Sequence, residues 1–160
     1  MITIKRLAAV GALSAILLIS GCGFINDGKD KMYESDTDIV QEGDSFSYIS
    51  RTGSTTTRIA DLEFKGFSGT ETIWIVDADK QTDLRIDYSL IVNKGEFKAV
   101  LVTPDGQVMK IAEGTGDGAG VKTLEKGRSR IKFVGARTAG KVEMHLQAGK
   151  AVKITNVADE

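Results

Sequence analysis

The fold of this chain is decided most clearly by residues 83–93, which read DLRIDYSLIVN. Apolar side chains occupy every second position of this run, and charged or small polar side chains lie between them. The apolar set is Leu84, Ile86, Tyr88, Leu90 and Val92, and the polar set is Arg85, Asp87 and Ser89. Because successive side chains of a strand point to opposite faces, this alternation predicts a strand with one buried and one solvated face.

Similar runs follow one another from Gly53 to the end of the chain, and they are rich in Val, Ile, Thr, Phe and Tyr. The predicted strands are residues 56–65, 70–77, 83–93, 96–103, 107–113, 120–125, 129–135, 140–147 and 151–157. Thr103-Pro104-Asp105-Gly106 favours a hairpin turn, and Lys94-Gly95 and Thr138-Ala139-Gly140 are further predicted turns. We therefore expect residues 54–160 to form an all-β, antiparallel β-sandwich of about eight or nine strands with a jelly-roll-like topology.

Residues 22–53 differ in composition from the region that follows. Asp, Glu, Lys, Ser, Thr and Gly dominate this segment, and its apolar side chains are too sparse to bury a face. The segment is therefore predicted to be a flexible polar tether that precedes the folded domain.

The first residues carry a targeting signal. Lys5 and Arg6 precede an apolar run over residues 7–19, and Ser20 and Gly21 come before Cys22. The apolar run is shorter than the roughly 20 residues that a membrane-spanning helix needs.

The residues Leu18-Ile19-Ser20-Gly21-Cys22 resemble the lipobox of bacterial lipoproteins. The resemblance implies that residues 1–21 are a cleaved signal peptide and that Cys22 receives diacylglyceryl and fatty acyl chains such as palmitate. It further implies an extracytoplasmic protein that the lipid bilayer holds at the cell membrane or the outer membrane. The alternative is an ordinary signal peptide, cut near Gly23, in which Cys22 has no role.

Charge and cysteine content exclude several classes of function. Removal of residues 1–21 would leave 19 of the 21 basic residues against all 22 acidic ones, so no basic excess points to a nucleic-acid partner. Cys22 is the single cysteine, and its acylation leaves neither a disulfide nor a thiol nucleophile. No motif indicates a cofactor.

Two motifs could carry chemistry but have ordinary explanations as well. His145 is the single histidine, and the alternation places it in an outward set beside Lys141 and Glu143, where a solvated role competes with a catalytic one. The glycine-rich residues 113–120 could cradle an anion, but they lack the helix that such loops open, so we expect a flexible loop between strands.

Three further sets are candidate binding residues. Asp77, Asp79 and Asp83 form an acidic cluster that could collect calcium, although a solvated acidic turn is the simpler interpretation. Trp74 is either a core residue or an exposed platform for a ligand. A basic stripe of Arg128, Arg130 and Lys132 either pairs with Glu143 across strands or binds an acidic ligand.

These observations predict a non-enzymatic lipoprotein whose sandwich binds an envelope polymer, such as a glycan, or an extracytoplasmic protein. A structural or assembly accessory of the cell envelope without a ligand pocket is the alternative. A hydrolase is the third hypothesis, and it requires a cleft that unites His145 with a carboxylate and a Ser or Thr.

Overall fold

A computed structural model describes residues 28–158 of the chain. A 3₁₀ helix, Lys29–Glu34, and a short α1, Asp36–Ile39, precede eight strands. The strands are β1 (Ser45–Ser47), β2 (Ser50–Thr55), β3 (Ile59–Ala78), β4 (Thr82–Val102), β5 (Val108–Glu113), β6 (Gly116–Leu124), β7 (Gly127–Ala148) and β8 (Val152–Asn156). The predicted signal peptide and Cys22 lie outside the described residues.

The strands form one antiparallel sheet in which β7 lies between β3 and β4. The order is β1-β3-β7-β4-β5, and β2 and β8 also pair with β3, while β6 pairs with β4. The prediction of an all-β, antiparallel sandwich of about eight or nine strands is confirmed. The two layers belong to one continuous sheet, with β7 paired to both β3 and β4, and this strand order does not reproduce the expected jelly-roll-like topology.

Three long strands build both layers of the sandwich. The first layer contains β2, β6, the first halves of β3 and β4, and the second half of β7. The second layer contains β5, β8, the second halves of β3 and β4, and the first half of β7. The pairing register shifts where the strands cross between layers, near residues 64–69 of β3 and 92–96 of β4.

The predicted turns at Lys94-Gly95 and Thr138-Ala139-Gly140 are wrong, because both sequences lie within long strands. Gly95 has a φ of 69°, and a Cβ there would overlap the carbonyl oxygen of Ala136. Glycine is therefore required for a bulge and a close approach of two strands, not for a chain reversal. The turn at Thr103–Gly106 is confirmed, since the Gly106 amide donates to the Thr103 carbonyl at 3.0 Å and Gly106 has a φ of 83°.

The main core lies between the two layers and is rich in aromatic rings. Phe64 of the first layer stacks on Phe97 at 5.2 Å, and Phe97 contacts Phe133 edge-on at 5.3 Å. A smaller core lies on the outer face of the second layer. There Tyr33 and Ile39 cover apolar side chains of β4 and β7, namely Val100, Val102 and Val134.

The prediction of a flexible tether is wrong for residues 28–53. The helical residues 29–39 pack on the second layer, and β1 and β2 extend the sheet by pairing with β3. Acidic side chains fix the segment: Asp30 contacts Ser68 and Arg137, and Asp44 contacts Lys132. The segment thus reaches a folded state through hydrogen bonds, ion pairs and apolar burial against distant residues, which its composition alone does not indicate.

Candidate functional site

An open depression on the outer face of the first layer is the candidate functional site. It has a volume of about 460 Å³. Strands β4, β6 and β7 supply its lining residues, which are Asp87, Tyr88, Ser89, Asp117, Gly118, Glu143 and His145.

The strand register explains why these residues converge. β4 lies between β7 and β6 in the first layer, so its outward side chains have a neighbour on each side. Asp87 is directly opposite His145, and Ser89 is opposite both Glu143 and Asp117. Directly opposed side chains in antiparallel strands lie about 4.5–5.5 Å apart at Cβ, so two adjacent rows of polar groups meet here.

The inward positions of β6 beside the depression are glycines. Gly116, Gly118 and Gly120 are opposite Leu90, Tyr88 and Ile86, and a Cβ on Gly118 would lie 2.5 Å from the Tyr88 hydroxyl oxygen. Glycine therefore lets the Tyr88 ring reach the edge of the sheet. The prediction of a flexible loop over residues 113–120 is wrong, since Glu113 ends β5 and Gly116 begins β6.

The lining of the depression is acidic. Its seven residues include three carboxylates, and none of them is a lysine or an arginine. Arg85 and Gln147 stand beside it and donate to Asp87 at 2.7 Å and 3.2 Å. His145 Nε2 lies 3.2 Å from Glu143 Oε1. Ionised carboxylates accept hydrogen bonds and attract positive charge, so the arrangement suits a ligand that carries ammonium groups.

The depression also unites the residue types that a hydrolase would need, namely His145, Ser89 and a carboxylate. The prediction that His145 lies in the outward set beside Glu143 is confirmed. The depression is wide and open to solvent, whereas general acid–base catalysis works best in a site that excludes water. Its shape therefore suits binding better than hydrolysis.

Trp74 is a core residue, and the hypothesis of an exposed platform is wrong. Its side chain has no exposed surface, and its Nε1 donates to the Thr56 carbonyl at 2.7 Å. The ring meets Phe133 edge-on at 6.4 Å.

The basic stripe is covered by the N-terminal segment along much of its length. Arg130 donates to the backbone carbonyls of Val40 and Gln41 at 2.8 and 2.9 Å, and the fully buried Lys132 lies 3.1 Å from Asp44. Arg128 remains exposed and donates to Asp77 at 2.9 Å, which raises the pKa of its guanidinium. Arg130 and Lys132 therefore contact the N-terminal segment, and Arg128 contacts Asp77. The expected cross-strand pairing of the stripe with Glu143 is wrong.

The acidic cluster of Asp77, Asp79 and Asp83 is not brought together as a cation site. Asp77 binds Arg128, and Asp83 accepts from the Thr123 hydroxyl at 3.2 Å. Within residues 28–158, the structure contains no group of three or more His, Cys, Asp or Glu side chains that could hold a metal ion.

The sequence does not reveal the depression as a whole site. Alternation places Asp87, Ser89 and Glu143 on outward faces, but only the register shows which strands are neighbours.

Within residues 28–158 the structure contains no helix with the length and apolar character of a membrane span. Comparisons of the chain with protein-family models, with curated proteins and with solved structures find no match.

Proposed function

We propose that the chain is an extracytoplasmic lipoprotein, anchored through acylated Cys22, whose sandwich binds a ligand or partner bearing ammonium groups. The acidic depression of the first layer is the observation that supports the binding role. Three carboxylates from three strands line it, and its lining holds no lysine or arginine. The lipobox-like residues before Cys22 support the anchor.

The same chemistry fits two sources that were expected from the sequence. An envelope glycan presents ammonium groups where amino sugars lack their acetyl group, and a protein partner presents lysine side chains. Both would approach an open, shallow surface without needing a deep pocket. We favour binding over hydrolysis because a ligand in this depression would remain in contact with bulk water.

Calorimetric titration of the mature, unlipidated chain tests the binding role. The ligands are glucosamine oligomers with free amino groups and a lysine-rich peptide, each compared with its acetylated form. Binding of either free-amine ligand, but not of its acetylated form, supports the proposal and distinguishes the two sources. Failure of both to bind in low salt would overturn it.

Variants locate the binding site. Asp117→Asn and Glu143→Gln should each weaken binding about tenfold or more, because a hydrogen bond to a charged group contributes about 1.5–3 kcal/mol. Glu63→Gln is the matched control, since Glu63 is an exposed carboxylate of the same layer outside the depression. An equal loss in all three variants would indicate only general charge attraction.

The anchor has an independent test. Cells expressing the chain and fed a labelled fatty acid should incorporate label into the wild type and not into Cys22→Ala. A wild-type chain that takes no label would overturn the anchor. The binding role would then still be decided by the titrations.

A further inference from the structure

One end of the sandwich carries three of the large apolar side chains that are exposed to solvent. We call it the corner end and define it by residues 46–49, 64–69, 91–96, 114–115 and 135–140, where the chain passes between the layers. Ile49 is 80% exposed, and Phe46 and Ile91 are 41% and 48% exposed. The Ile49 amide donates to the Lys65 carbonyl at 2.9 Å, and its side chain lies over Gly66.

The chain enters the folded domain at this same end. Asp30 accepts from Ser68 Oγ at 2.7 Å and pairs with Arg137 Nε at 2.8 Å, and both partners belong to the corner end. Cys22 precedes Gly28 by six residues, and an extended chain spans at most about 3.6 Å per residue. The acylated cysteine would therefore lie within about 22 Å of Gly28, which is two residues before Asp30.

The charges around these apolar side chains suit an interface between water and lipid. Lys65 and Lys94 are exposed, and the Arg137 side chain is 76% exposed. Glu63 and Glu96 are exposed nearby, so the local charge is mixed. Long basic side chains keep their charged groups in the headgroup region while apolar neighbours insert. Association here would depend on the apolar side chains more than on anionic lipid.

We propose that the corner end is the membrane-facing surface of the domain and that Ile49 inserts into the headgroup boundary of the bilayer. The proposal rests on the acylation of Cys22, because the anchor holds this end within reach of the lipid. The opposite end, with the Thr103–Gly106 turn, then points away from the membrane. That turn is separated from the corner end by residues 96–102 of β4, about 23 Å at 3.3 Å per residue.

Depth-dependent quenching of a fluorophore tests the orientation. The lipidated chain carries no free thiol once Cys22 is acylated, so Ile49→Cys, Val121→Cys and Asp105→Cys each provide a single labelling site. The labelled proteins are placed in phosphatidylcholine vesicles that contain headgroup spin-labelled lipid. Val121 is the matched control because it is also an exposed apolar side chain, at 55%, on the first layer. Circular dichroism confirms that each variant is folded.

Quenching at position 49 should exceed that at positions 121 and 105 by about twofold or more, since interfacial side chains lie within about 5–10 Å of the headgroup boundary. Equal quenching at the three positions, or stronger quenching at 105, would overturn the proposed orientation. Mass spectrometry of the same preparations separates this outcome from failure of the anchor. A protein without acyl chains would overturn the anchor and, with it, this inference.

Discussion

Lys132 is a charged side chain without exposed surface on the outer face of the second layer. Burial lowers the pKa of its ammonium group, and the neighbouring Asp44 carboxylate opposes that change. Its Nζ contacts Asp44 Oδ1 at 3.1 Å and donates to the Gln41 carbonyl at 2.7 Å. Both partners belong to the segment that precedes β1, so this buried charge depends on residues that were predicted to be flexible.

Removal of either partner of this pair should have unequal effects. Asp44→Ala should lower the free energy of unfolding by about 3 kcal/mol or more, because it leaves the buried ammonium uncompensated and removes the acceptor of two Thr72 hydrogen bonds. Lys132→Met should cost less, since Asp44 retains 24% exposure and both bonds to Thr72. Urea unfolding of the two variants measures the difference. A larger loss for Lys132→Met would contradict this account.

Two tyrosines should make the domain sensitive to alkaline pH. Burial raises the pKa of Tyr33 and Tyr48, whose hydroxyls donate to Glu113 and Glu71. The unfolded chain therefore releases these phenolic protons first, near the ordinary pKa of 10.0. The stabilisation is complete below about pH 10 and is lost as the pH rises above it.

The free energy of unfolding should consequently fall between about pH 9 and 11, and Tyr33→Phe and Tyr48→Phe should each reduce that fall. Lys132 has the opposite effect on the free energy of unfolding, which it raises as the pH rises toward its ordinary pKa of 10.5. The reason is that the unfolded chain holds this proton more tightly than the folded one. Denaturant unfolding at several pH values gives the slopes. An unchanged slope in the double tyrosine variant would show that other groups cause the alkaline loss.

At the scale of elements, the long strands owe their length to glycines that allow bends within a sheet. A Cβ on Gly95 would overlap backbone atoms of Ala136 and Arg137, and a Cβ on Gly140 would overlap the Ile91 carbonyl oxygen. These close approaches let β4 and β7 stay paired as they pass from one layer to the other.

Alanine substitution should distinguish this role from the role of a glycine in a turn. Gly106→Ala should cost about 1–2 kcal/mol, because Gly106 has a φ of 83° but open space around it. Gly95→Ala combines a φ of 69° with overlap of the facing backbone, so we expect it to cost at least about 2 kcal/mol more. Thermal unfolding compares the variants, and equal losses would contradict a close approach at Gly95.

The sequence predicted where strands lie better than where they end. Period-two alternation is local, so the faces of Leu84 to Val92 and the strand character of β5 and β8 could be recognised from it. The sequence alone predicts turns at Gly95 and Gly140, because a glycine at a bulge and a glycine at a turn look alike in one sequence. The difference depends on whether the neighbouring strand continues alongside, which is a non-local fact.

At the scale of the whole molecule, the N-terminal segment belongs to the folded domain. Ile39 and Tyr33 are buried against the second layer, and Lys98 lies over the Tyr33 ring at 4.5 Å. Composition does not reveal this, because a few scattered apolar side chains in a polar segment are also typical of a disordered one. The candidate site was hidden for a related reason: each of its residues looks like an ordinary solvated strand position until β4 is placed between β6 and β7.

Deletion of residues 28–41 should lower the melting temperature by ten degrees or more. It removes the burial of Tyr33 and Ile39 and exposes Val100, Val102 and Val134, and each buried side chain of this size contributes about 1.5–3 kcal/mol. Calorimetry of residues 22–160 with and without residues 28–41 gives the comparison. A shift of only a few degrees would show that the segment adds little to the fold.

Two isoleucines provide a matched control for that deletion. Ile39 is fully buried and Ile49 is 80% exposed, so the same change to serine should affect them differently. Ile39→Ser should cost about 3 kcal/mol, and Ile49→Ser should remain within about 0.5 kcal/mol of the wild type. Equal losses would place the stabilising contacts of the segment elsewhere.

The central position of β7 also governs when the sheet can be completed during synthesis. Local hairpins such as β2–β3 and β4–β5 can form early, but β3 and β4 share a neighbour only in residues 127–148. Pairing over such sequence separations is slow, because the loop must close before the contacts form. Until the chain has been synthesised to about Ala148, the two layers lack their common strand. The sheet therefore cannot be completed until most of the chain has been synthesised, and folding of the whole domain follows synthesis instead of accompanying it.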